Sequence, residues 1–180
     1  MSIRKVLQYP TDEAKLRRKS AEVKRLDNDT RQLIRDLKET LATQPGAGLA
    51  APQIGIWKKV ALVCFGQDKG EMEPPLAIIN PVIVESGPLA KGFDGCLSMP
   101  GLVTWDTLRP SWLVFTARDE NWNKITLRVE GIDAIVVHHE VDHLNGVLFL
   151  DRMEAGGKLY VRRVAADGEE TFVELNSILP

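Results

Sequence analysis

Cysteine is scarce in this 180-residue chain: only Cys64 and Cys96 are present. That excludes a disulfide-built secreted scaffold and points to a reducing compartment. Long apolar runs are missing too. No window approaches the roughly 18 apolar residues that a membrane-spanning helix needs. The opening Met1-Ser2-Ile3-Arg4-Lys5-Val6-Leu7 lacks the apolar core of a signal peptide. Neither sign of charge dominates: 23 Lys and Arg stand against 25 Asp and Glu, a formal net charge of −2. A basic surplus that would mark a nucleic-acid or anionic-membrane partner is therefore absent. Together these absences lead us to expect a cytoplasmic protein with no membrane and no specific nucleic-acid partner.

What remains is ordinary for a folded enzyme: 44% hydrophobic and 27% charged residues. The length fits one domain over residues 1–180, able to bury about two-thirds of its unfolded surface. No repeat or low-complexity tract divides it.

The first helix is predicted from Asp27 to Thr43, capped by Asp27, Asn28 or Asp29, and stopped by Pro45-Gly46. Leu33, Ile34, Leu37 and Leu41 form its apolar stripe. Val60–Phe65 reads as a strand, and Leu76–Asn80 and Val82–Val84 flank Pro81, an edge or a bend. Trp112–Ala117 and Lys124–Val129 read as a hairpin. From Gly131 to Asn145 the period turns helical, placing Ile132, Ile135, Val136, His139 and His143 on one face, with Gly146 as the stop. Two segments, Leu159–Val164 and Thr171–Leu175, flank Asp167-Gly168 and read as a C-terminal β-hairpin. The expected fold class is α+β: mixed or antiparallel strands around a central metal-binding helix, with an N-terminal helix and that hairpin.

The chemistry is concentrated in His139-Glu140-Val141-Asp142-His143. Two His at i and i+4 on a helix can share one metal ion, and the Glu beside the first can handle protons on an activated water. A hydrolytic metal site usually has three protein ligands and one open position. His138 cannot easily be the third, because adjacent helical residues point about 100° apart. Phe149 stands where one protease class carries its third His. A Cys or a carboxylate is left. Cys64 lies in an apolar run and reads as a small buried hydrophobe. Cys96 sits in Asp94-Gly95-Cys96-Leu97-Ser98-Met99-Pro100-Gly101, where flanking glycines allow close approach of the backbone. Upstream, Gly46-Ala47-Gly48-Leu49-Ala50-Ala51-Pro52-Gln53 offers a small-residue backbone for a substrate to lie against.

Together these three segments closely resemble the three motifs of peptide deformylases, in that family's order. The resemblance implies that Cys96, His139 and His143 bind one divalent metal, typically iron(II), with zinc, nickel or cobalt also accepted. It implies Glu140 as general acid/base, with the Gln53 side chain and the Leu97 backbone N–H on the oxyanion. The substrate would be the N-formyl group on the initiator methionine of new chains, met on formylated peptides or at the ribosome. Gly46, Ala47 and Gly48 would lie along the peptide, and Ile132, Ile135 and Val136 along the methionine pocket.

Four positions depart from the family pattern. Asp94 stands where Glu is usual, Pro45 where an acid is usual, and His138 where Gln is usual. Leu102-Val103-Thr104-Trp105-Asp106 lacks the Arg that members often carry there to hold the peptide, so weak dependence on peptide length is expected. The hairpin-like tail also differs from the C-terminal helix of many bacterial members. Two other readings remain open: a zinc peptidase using His139, His143 and a downstream Glu such as Glu169 or Glu170, and a non-catalytic peptide-binding descendant.

Overall fold

The computed structural model describes residues 2–67, 70, 72–165 and 167–175. Among these residues three α-helices, α1 (Glu13–Leu16), α2 (Asn28–Leu41) and α3 (Gly131–Leu144), accompany nine strands. The strands are β1 (Gly48–Ala50), β2 (Val60–Val63), β3 (Leu76–Ser86), β4 (Leu89–Cys96), β5 (Met99–Pro110), β6 (Trp112–Arg118), β7 (Lys124–Glu130), β8 (Tyr160–Val164) and β9 (Glu170–Glu174). They form two antiparallel sheets, β1-β2-β3-β6-β7 and β4-β5-β8-β9. The class is α+β, as the sequence led us to expect. No described helix is long and apolar enough to cross a membrane.

β2 shows why the core sits where it does. Its four residues Val60, Ala61, Leu62 and Val63 are all buried, so both faces of the five-stranded sheet are covered. On one face Leu33, Ile34, Leu37 and Leu41 of α2 meet Val60, Leu62 and Ile79. Asp27 starts that helix by accepting a hydrogen bond from Thr30 N at 2.9 Å. On the other face Ala134, Val137 and Leu144 of α3 meet Ala61, Val63, Ile78, Leu113 and Phe115. Each large side chain buried this way contributes about 1.5–3 kcal/mol.

The other flank of α3 is also buried, but polar: His139, Glu140, Asp142 and His143 all lie inside. Buried charge on this scale demands partners, and the second sheet supplies them. Its long β4–β5 ribbon reaches Cys96 at the turn where β4 ends and β5 begins. Gly146, at φ +75°, closes α3 where a Cβ would strike the carbonyl of Arg17.

A one-turn helix, α1, precedes the helix expected first. Of the edge or bend expected at Pro81, the structure shows the bend: Pro81 lies inside a single strand, β3, in the middle of its sheet. The missing N–H is tolerated because pairing with β2 ends at Ile79 and the register with β6 shifts between Ile79 and Val82.

Candidate metal centre

Three ligand atoms converge between α3 and the β4–β5 turn. Cys96 Sγ lies 3.2 Å from His143 Nε2, which lies 3.1 Å from His139 Nε2. All three lie within 4.8 Å of one another. Ideal tetrahedral ligands on zinc would be roughly 3.3–3.6 Å apart, given metal–ligand bonds of about 2.0–2.3 Å. The donor set therefore fits one divalent ion. Among the described residues, no other group of three His, Cys, Asp or Glu side chains converges in this way. Glu169 and Glu170 are exposed, and Glu170 is paired with Arg162, so neither joins the His pair.

The electrostatics agree with that fit. Burial opposes the Cys96 thiolate, but His143 and His139 beside it overcome the penalty and hold its pKa at about 5. The thiolate is the form that binds metal. Burial pushes Glu140 up to about 7, against the pull of His139 and His143. Its Oε2 is buried with no hydrogen-bond partner among the described residues. An orphaned carboxylate oxygen at a pKa near neutrality suits proton transfer. Glu140 also explains Gly48: a Cβ there would collide with its carboxylate, so β1 must be bare at this point.

Behind the ligands runs a chain of buried charges. His139 Nδ1 donates to Asp94 Oδ1 at 2.7 Å, which leaves Nε2 aimed at the metal position. Arg109, 1% exposed, donates from Nε and Nη2 to Asp94 Oδ2 at 2.9 and 2.7 Å, and from Nη1 to Asp142. Arg152 caps the far end by donating to Asp142 Oδ1 at 2.6 Å. Despite burial, His139 and Arg109 hold Asp94 at about 2. His138 points elsewhere. Its Nδ1 lies 2.8 Å from Arg109 Nη1, and a guanidinium can only donate, so that nitrogen accepts and the ring is neutral. Burial lowers its pKa to about 4, in agreement.

In front of the ligands is a cavity of about 300 Å³. Gly46, Ala47, Gly48, Gln53, Cys96 and Leu97 line it. So do Ile132, Ile135, Val136, His139 and Glu140 of α3. Gln53 is fixed by accepting from Ala50 N at 2.8 Å, and its Nε2 lies 3.2 Å from Ser98 Oγ and 3.6 Å from Cys96 Sγ. Every site residue singled out from the sequence except His143 thus lines this cavity, and His143 Nε2 lies 3.2 Å from Cys96 Sγ. Sequence reasoning missed Arg109, whose position two strands from the His pair leaves no local signal. It also missed Arg162 of β8, which brings a cation to the cavity wall where residues 102–106 offer none.

The model of the polypeptide deformylase family matches residues 3–158. This chain belongs to that family. It is an enzyme of the family, a hydrolase, and the family's activity is the deformylation of nascent peptides. Peptide deformylase 1 of Nostoc sp. is 40% identical over 140 residues, 77% of this chain and 74% of that protein. A peptide deformylase of Symbiobacterium thermophilum is 35% identical over 100% of this chain and 78% of its own. The crystal structure of a Synechococcus elongatus peptide deformylase in complex with actinonin superposes with a TM-score of 0.74. It is 38% identical and is matched over 83% of this chain and 78% of its own. Membership and the Cys96–His139–His143 cluster together support one bound metal ion.

Proposed function

We propose that this single catalytic domain removes the N-formyl group from the initiator methionine of newly made polypeptides. The observation that carries the reading is the convergence of Cys96 Sγ and two imidazole Nε2 atoms beside the unpartnered Glu140 Oε2. A divalent ion held by those three ligands would supply Lewis-acid activation of water. Iron(II), zinc, nickel and cobalt all suit a thiolate with two imidazoles.

The chain's own groups do the rest. Glu140 takes the proton from water and returns it to the leaving amine. The Gln53 Nε2 and the Leu97 N–H meet the negative charge that develops on the formyl oxygen, an interaction worth about 3–4 kcal/mol per donor in such sites. Ile132, Ile135 and Val136 receive the methionine side chain, and Gly46, Ala47 and Gly48 lie along the peptide. Asp94 and Arg109 hold His139 in its metal-facing tautomer. The S. elongatus relative forms a complex with actinonin, which supports a site that takes peptide-like molecules. On this reading the enzyme works in the cytoplasm, on formylated peptides or on nascent chains at the ribosome.

Protein reconstituted with iron(II) or zinc should release formate from a formyl-Met-Ala-Ser peptide and leave internal peptide bonds of unformylated peptides intact. Internal cleavage without formate release would instead favour a peptidase. Binding without turnover would make the chain a non-catalytic descendant.

A further inference from the structure

The four-stranded sheet continues the cavity wall outward. Strand parity puts Gly101, Val103 and Trp105 of β5 on one face, together with Tyr160 and Arg162 of β8 and Phe172 of β9. Phe93 of β4 joins them through a tilted contact with Trp105, 5.5 Å between ring centroids. Trp105 meets Tyr160 at 5.2 Å and Phe172 at 5.0 Å. Phe93, Trp105 and Phe172 remain 41%, 41% and 38% exposed, so this is a contiguous aromatic strip open to solvent. Such strips mark interaction surfaces, and this one is continuous with the cavity, because Phe93, Val103 and Arg162 also line it.

Arg162 is the one cationic side chain among the described lining residues. Glu170 accepts from its Nε at 2.9 Å and also from its Nη2. Both partners are well exposed, and exposed pairs of this kind contribute little to folding. The pair does fix the guanidinium at the mouth of the cavity. Five donors leave capacity for a second carboxylate, and no other described residue accepts from it. The match to the family model ends at residue 158, before β8 begins. The hairpin thus adds Tyr160, Phe172 and the Arg162 guanidinium to the Phe93–Trp105 pair that the matched segment carries.

We propose that Arg162 is a specificity-determining residue, selecting peptides that carry an acidic side chain downstream of the formyl-methionine. The intervening residues run over the Phe93–Trp105–Phe172 strip. The inference rests on the deformylase reading above.

The test uses the metal-loaded enzyme and C-terminally amidated formyl-Met peptides. Asp is compared with Asn at the first, second or third residue after methionine, so that no terminal carboxylate intervenes. Wild type should prefer Asp at one of these positions by about 3- to 10-fold in kcat/KM, as expected for a charge-assisted contact discounted for exposure. Added salt should shrink the preference. Arg162→Ala should reduce it to within a factor of two, and Arg162→Lys should keep part of it. Glu170→Gln, which removes the competing carboxylate, should enlarge it. Arg163→Ala, on the opposite face of β8, should leave it as in wild type. Equal rates for Asp and Asn at all three positions, or a preference that survives Arg162→Ala, would overturn the proposal while leaving deformylation intact. No formate from any peptide would remove the deformylase reading and this inference with it.

Discussion

Glu140→Gln should keep the metal and lose between about 100- and 10,000-fold in turnover of formyl-Met peptides, the usual contribution of general acid–base catalysis. The amide matches the carboxylate in shape, so the fit against the bare backbone of Gly48 is preserved. Cys96, His139 and His143 keep their positions, and metal content should match wild type. What is lost is the proton acceptor whose Oε2 stands buried without a partner and whose pKa burial lifts to about 7. Steady-state rates measured beside elemental analysis separate the two effects. A variant turning over near the wild-type rate would place the base elsewhere; one that lost its metal would make Glu140 a structural support of the site.

The largest effect on folding is expected at Arg109. Its guanidinium is 1% exposed and bridges Asp94 and Asp142, both buried. Arg109→Ala leaves two carboxylates facing each other without their shared cation. Breaking a buried pair in this way costs about 3–5 kcal/mol, because the charges left behind cannot be resolvated. At roughly 2–4 °C per kcal/mol for a chain of this size, the Tm should fall by about 6–20 °C. Arg109→Lys should recover part of the loss, since it restores the charge but not the fork of donors. The cost should also depend on pH. Asp94 is held at about 2, below its ordinary 3.8. A carboxylate depressed in this way contributes stability above its unfolded pKa and loses it as pH falls through the folded one. The gap between wild type and Arg109→Ala should therefore narrow as pH is lowered from about 4 toward 2. Denaturant melts over that range measure it; a gap below about 1 kcal/mol at neutral pH would show that the cluster relaxes without its arginine.

Local patterns were legible in the sequence. In α3 the ligand spacing is i to i+4, so His139, Glu140 and His143 declare themselves within five residues. In α2 the four-leucine-and-isoleucine stripe and the Asp27 cap act over a few residues, and the structure follows them. The C-terminal hairpin was readable from two strand-like segments about an Asp-Gly pair. The β4–β5 ribbon was not. Lys91-Gly92-Phe93-Asp94-Gly95 has no clean alternation, because half of β4 is exposed and only Asp94 turns fully inward. Its pairing is set by the partner strand and by bulges between Gly92 and Asp94 and between Gly95 and Cys96. Asp94 looked like a small departure on the pocket wall. Its role as the anchor of His139 depends on Arg109, 15 residues away, and on a helix 45 residues away. Arg162 reaches the cavity only through the register that pairs Leu102 with Val161. Contacts of that range follow from the tertiary fold and leave no periodic trace in one sequence.

The account stands on Cys96 completing the metal site, and elemental analysis of wild type and Cys96→Ala, each reconstituted with iron(II) or zinc and then desalted, tests that most directly. Wild type should carry one divalent ion per chain and release formate from formyl-Met peptides. Cys96→Ala, folded by its circular dichroism, should hold no metal tightly and release none. Full metal occupancy in Cys96→Ala, or a wild type that never takes up metal, would contradict the assignment.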